Sequence, residues 1–238
     1  MSTSFSVILD DFDAALVPLR EIVNGGQGTG ASARARVSSV HASTLLLAAT
    51  FEEFVREMAK EFAVQVVTSA SSVSELPEQL LETAWRRTFD RFARNKAATC
   101  SRREALEIAA AQARPTVEAL CAFIEGDIGQ NIFDHLIHNE NNMRPREINS
   151  LFKLSGFSNV CAEACKHAEL KAFFETDEEG KAHGEFLSAL EAFFERRNQI
   201  AHSLNSVSSS APETILQDVD FLSAFSKGLC RTLEARFA

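Results

Sequence analysis

The sequence predicts an all-α protein. Apolar residues recur every three or four positions through segment after segment, the period of a helix with one buried face. No stretch shows the period-two alternation of a half-buried strand, and no internal repeat is present. The third observation is compositional: 19 Phe stand against one Trp and no Tyr. The aromatics therefore fill core volume and bring few polar handles with them.

The elements follow in order. Residues 4–23 place Phe5, Ile8, Leu9, Phe12, Leu16, Leu19 and Val23 at helical spacing, with Pro18 as a position for a kink. The run Asn24-Gly25-Gly26-Gln27-Gly28-Thr29-Gly30 reads as a flexible break. It is not a phosphate loop, because no strand precedes it and no Gly-Lys-Ser/Thr follows. Residues 32–68 form a long helix whose stripe includes Val37, Val40, Thr44, Leu45, Leu47, Ala48, Phe51, Val55, Met58 and Phe62. A polar turn over residues 69–74 leads to a helix from Pro77 to Lys96, with Pro77 suited to a first turn. There the expected core stripe is Leu81, Trp85, Phe89 and Phe92, with Arg87, Arg91 and Arg94 opposite. Residues 101–113 and 115–125 read as two helices divided at Pro115, and 128–138 as another. A loop rich in turn formers covers residues 139–145. A short helix from Pro145 to Leu154 stops at Ser155-Gly156, and residues 157–174 form the next. After the acidic turn Thr176-Asp177-Glu178-Glu179-Gly180 come helices over 182–203 and 214–236, separated by a serine-rich loop. The last buries Ile215, Val219, Leu222, Phe225, Leu229 and Leu233.

Charge and cysteine content narrow the function. The net charge of −9 argues against a general nucleic-acid-coating protein. Residues 86–103 are the exception, with Arg86, Arg87, Arg91, Arg94, Lys96, Arg102 and Arg103 against Asp90 alone. That makes +6 locally and −15 elsewhere. Arg87, Arg91 and Arg94 are candidates to follow a phosphate backbone, or else form a solvated face. Five cysteines without a Cys-x-x-Cys pair read as reduced thiols of a cytoplasmic protein. No apolar run approaches the ~20 residues of a membrane span, and the N-terminus lacks the pattern of a signal peptide. His135 and His138 are three apart with Asp134 and Glu140 nearby, but no further His or Cys stands at ligand spacing, so no metal and no cofactor are expected.

The polar cluster with most chemistry closes the helix over 182–203. Leu187, Leu190, Phe194 and Ala201 recur at helical spacing, as do Phe186, Phe193 and Ile200. Arg197 falls on the core-facing side, where a guanidinium must be paired or line a cleft. Asn198 and His202 are four apart and share a face. A permanent cation, an amide and an imidazole that titrates near neutrality thus lie within about two turns.

Arg197-Asn198-Gln199-Ile200-Ala201-His202 resembles the signature of the HEPN superfamily (higher eukaryotes and prokaryotes nucleotide-binding), an Arg separated by four to six residues from a His late in a helix. Asn198 stands at the polar position that usually follows the Arg. The segment 45–55, with Glu52, is similar to the acidic-then-aromatic stretch of HEPN groups from bacterial defence and toxin loci. Residues 145–152 with Gly156 resemble a middle segment of the same groups. The resemblance covers most of residues 35–203. It implies a multi-helix HEPN-like bundle with additional helices: an N-terminal helix and linker over 1–30, and the HEPN-like domain over 31–238 with a helical insertion around 75–140. It further implies a metal-independent endoribonuclease of the toxin or antiviral-defence kind. RNA would be cleaved through its own 2′-hydroxyl at a site that two protomers complete. Arg197, Asn198, His202 and Glu52 would be catalytic, with Arg87, Arg91 and Arg94 on the RNA. Glu52 would pair with Arg197 or orient His202. A second reading stands beside it, in which the domain is a non-catalytic interaction module for an antitoxin or defence-complex partner. Arg197 is then a buried cation paired with Glu52, and His202 a helix C-terminal cap.

Overall fold

A computed structural model describes residues 3–26, 28, 30–94, 102–137, 142–202 and 211–238. Among the described residues the regular structure is helical throughout, with no strand. The chain divides into two compact units, one of Met1–Met58, Asn141–Ser150 and Asn159–Ala238, the other of Ala59–Glu140 and Leu151–Ser158.

The first unit contains α1 (Ser4–Gly26), the first two-thirds of α2 (Ala33–Ser69), the start of α6 (Pro145–Leu154), the short helices α7 (Val160–Ala164) and α8 (Ala168–Phe173), α9 (Glu179–His202) and α10 (Pro212–Glu234). Helix α1 runs on through Gly25 and Gly26 with Pro18 inside it, so the glycine break begins later than its composition suggests. Residues 157–174 form two short helices, α7 and α8, instead of one. Every expected stripe residue of α10 is buried. Ser226, Gly228 and Thr232 on its other faces are buried too, because α1, α7 and α8 all pack against it. Phe51 of α2 centres the core, with ring centroids 6.3 Å from Phe12, 6.4 Å from Phe194 and 5.9 Å from Phe225. Phe225 stacks on Phe186 at 4.5 Å. Each buried Phe is worth roughly 1.5–3 kcal/mol of transfer free energy, and none brings a hydroxyl that needs a partner. This packing anchors α9 to α2, which sets the site below. Leu45, expected inside, is exposed along with Leu46, while Ser43 and Thr44 take the buried face.

The second unit holds the end of α2, a 3₁₀ turn over Val73–Glu75, α3 (Glu78–Arg94), α4 (Arg102–Ile124), α5 (Phe133–Leu136) and the end of α6. Phe62 packs on Phe152 and Phe157 at 5.8 and 5.7 Å. Gly156, at φ 88°, ends α6 in a left-handed turn that favours glycine.

Helix α3 is rotated from its expected setting. Its buried residues are Leu80, Thr83, Ala84 and Thr88, whereas Trp85 and Phe89 are 46% and 40% exposed. The two rings pack on each other at 4.7 Å. Alanine and threonine let α3 approach its neighbours closely, which an indole on the same face would prevent. Arg87, expected opposite the core, is half-buried and donates to the carbonyl of Leu136 in α5. Pro115 lies inside α4 and does not divide it; its fixed φ suits a helix, and the cost is the lost N–H donor to the Ala111 carbonyl. The helix expected over 128–138 shrinks to α5, and His138 lies outside the described residues. Among the described residues no helix is long and apolar enough to cross a membrane.

Candidate functional site

Consecutive residues of a helix point about 100° apart, and the two arginines of α9 use that divergence to serve different neighbours. Arg196 turns to α10, where its Nη2 reaches both carboxylate oxygens of Asp218 at 2.6 and 2.7 Å. Asp218 is 8% exposed. Burial raises its carboxyl above the ordinary range, and the Arg196 charge and hydrogen bonds work against that rise. Of the two arginines, Arg196 is therefore the one with a carboxylate within 4.0 Å among the described residues.

Arg197 turns toward α2. Among the described residues it makes no ion pair within 4.0 Å, and its Nη1 donates to Oδ1 of Asn198 at 3.2 Å. Its charge is nevertheless felt by Glu52, half-buried on α2. Burial holds the Glu52 carboxyl above the usual range; Arg197, then Arg56, then the donated N–H of Met143 pull it back down. Oε1 of Glu52 is buried and has no hydrogen-bond partner. Arg56 is committed elsewhere, to Glu53 at 2.9 Å.

The loop before α6 closes this cluster. Asn142 donates its Nδ2 to Oδ1 of Asn198 at 2.8 Å. Arg144 pairs with Glu191 and stands 3.5 Å from Glu195, both on α9. His202 is the last residue of α9, exposed, and has no partner among the described residues. It lies one turn beyond Asn198, on the same face of the helix.

Glu52, Arg197 and Asn198 thus come together in the first unit, with His202 following on the face of Asn198. Arg87, Arg91 and Arg94 belong to α3 of the second unit. Arg87 already spends one N–H on Leu136, and the side chains of Arg91 and Arg94 lie outside the described residues. So do the side chains of His135 and His138. No group of three or more His, Cys, Asp or Glu able to hold a metal occurs among the described residues. Sequence reasoning missed Asn142, Met143, Arg144 and the Arg196–Asp218 pair. Asn142 is 56 residues from its partner, and a run of turn formers carries no sign of what it will touch.

The described residues are helical throughout, and a long helix ends in an Arg-x4-His motif, the pattern of the HEPN class. Residues 21–237 match the RiboL-PSP-HEPN family, and the chain is a member of it. Comparison with curated proteins and with solved structures found no match.

Proposed function

We propose that this protein is a metal-independent HEPN endoribonuclease, acting as a toxin or antiviral-defence effector. The observation that carries the reading is the last two turns of α9. They offer a guanidinium without an ion-pair partner among the described residues, an amide and an exposed imidazole, with the Glu52 carboxylate beside the guanidinium. Cleavage needs a base to take the 2′-hydroxyl proton, an acid to protonate the departing 5′-oxygen, and cations for the phosphorane charge. The 2′-oxygen forms its bond to phosphorus as the P–O5′ bond breaks, leaving a 2′,3′-cyclic phosphate and a 5′-hydroxyl. His202 supplies the proton transfer and Arg197 the charge. Glu52 orients Arg197 and keeps it from collapsing onto another carboxylate.

Arg197 and His202 are five residues apart, about 140° around the helix and about 7.5 Å along it. One chain therefore presents them to different sides, which supports a site completed by a second copy. The basic residues Arg87, Arg91 and Arg94 add local positive charge that draws RNA to an otherwise acidic protein.

The test is cleavage of varied RNAs in EDTA by wild type and by His202→Ala. Activity in the wild type that falls at least a hundredfold in the variant supports the reading; equal activity in both, or none in the wild type, overturns it. The interaction-module reading draws on the net charge of −9 and on the internal use of Glu52 and Asn198. It gains if Arg197→Ala and His202→Ala keep the full cellular effect while surface variants lose a partner.

A further inference from the structure

We infer that Asn142 is a positioning residue of this site. Together with Arg197 it fixes the side-chain amide of Asn198 so that the NH2 group is offered to an acceptor-only oxygen, a phosphate oxygen of the RNA. The inference rests on the function proposed above and adds the direction of the recognising hydrogen bond.

An arginine has five N–H donors and no acceptor. The Asn198 atom that meets Arg197 Nη1 at 3.2 Å must therefore be the carbonyl oxygen, Oδ1. Asn142 Nδ2 brings a second donor to that same oxygen at 2.8 Å. Two donors fill its two lone pairs. Rotating the Asn198 amide by 180° would set its NH2 against a guanidinium and another NH2, donors facing donors. The outcome is an amide with one orientation, and its Nδ2 has no partner among the described residues. Phosphate oxygens accept and never donate, so an amide whose oxygen is held by two donors, and whose NH2 is left to a ligand beside a cation, suits them and discriminates against a ligand that presents a donor.

The residues just before α6 divide the work. Asn142 donates to Asn198, and Arg144 pairs with Glu191 and approaches Glu195. This short segment thus holds the amide of Asn198 on α9, and the Arg144 contacts attach it further back on the same helix. Arg144 serves as the comparison, because its contacts on α9 are Glu191 and Glu195 and not Asn198.

The experiment uses the full chain with Asn142→Ala, Asn142→Asp and Arg144→Ala. The side-chain amide pair of Asn198 is assigned in ¹⁵N spectra by its loss in Asn198→Asp. In Asn142→Ala this pair is expected to shift and broaden, and kcat for RNA cleavage in EDTA to fall about tenfold, the scale of one such hydrogen bond, with KM within about twofold. Asn142→Asp, of equal size, turns an acceptor toward Asn198 and is expected to fall further. Arg144→Ala is expected to keep kcat within about threefold. If Asn142→Ala does not fold, Asn142→Asp decides by the same readings. Unchanged Asn198 amide resonances overturn the inference. So does a kcat within twofold of wild type in the Asn142 variants while Asn198→Ala is impaired tenfold or more. A wild type that cleaves no RNA sinks the proposed function instead, and the amide resonances alone then decide the role of Asn142.

Discussion

At the scale of single residues, Glu52 is the group whose energetics are most exposed to test. Its carboxyl is raised because burial outweighs the Arg197 and Arg56 charges and the Met143 N–H. The sign follows from linkage: a folded state that holds the proton more tightly than the unfolded chain loses stability as pH rises through the carboxylate range. Above that range the charged form is a standing cost, and below it the cost vanishes. Glu52→Gln keeps the shape and removes the charge. It is expected to raise Tm by a few degrees at neutral pH and to leave it unchanged at pH 3, measured by thermal unfolding at the two values. In the proposed reaction the same variant is expected to lower kcat, because Arg197 loses its orienting charge; stability and activity would then move in opposite directions. Equal Tm shifts at both pH values would refute the burial argument. The resemblance named Glu52 as a partner of Arg197 or an orienter of His202, and the Arg197 charge does lower the Glu52 carboxyl. The adjacent Arg196 was not singled out, because only the distant Asp218 shows which of two neighbouring arginines carries the core ion pair.

At the scale of elements, legibility tracked side-chain size. Helices α6 and α10 were readable because large apolar residues do face their cores, and α10 buried every residue of its stripe. Helix α3 was misread for the converse reason: its contact face is Ala84, Thr83, Thr88 and Leu80, while the large aromatics Trp85 and Phe89 stay outside. A hydrophobicity pattern ranks indole above alanine; close helix approach reverses the order. Gly228 of α10 shows the same preference for small residues at its limit. A methyl there would lie 2.6 Å from the carbonyl oxygen of Ala164 in α7. Ala normally gains about 1 kcal/mol over Gly inside a helix, but overpacking costs about 1–3 kcal/mol, and a backbone oxygen cannot swing aside. Gly228→Ala is expected to destabilise by about 1–2 kcal/mol in urea unfolding. Gly184 of α9, where an added Cβ meets nothing within 4 Å, is the counterpart: Gly184→Ala is expected to stabilise by about 0.5–1 kcal/mol. The two substitutions share one chemistry, so the same sign in both would show that contact at Gly228 does not govern its packing.

At the scale of the whole molecule, the question is how many chains make one site. Each protomer carries one Arg197 and one His202, set about 140° apart on their helix. An acidic chain of net charge −9 gains little from general attraction to RNA, so the local cations must be concentrated where the phosphate sits. In the proposed reaction, pairing two α9 ends would do that, bringing two guanidinium groups and two imidazoles to one place. Separately purified Arg197→Ala and His202→Ala proteins are then each expected to be inactive. Mixed in equal amounts and allowed to exchange subunits, about half of the dimers become hybrids, each holding one intact arginine and one intact histidine from opposite chains. Such hybrids are expected to regain cleavage in EDTA above the sum of the two parents, and dilution below the dimer dissociation constant is expected to abolish the gain. A mixture no better than its parents at any ratio, beside an active wild type, would mean that each chain carries its own complete site. The angular separation of Arg197 and His202 would then have to be closed by bending within one protomer, for which α9, regular to His202, offers no hinge.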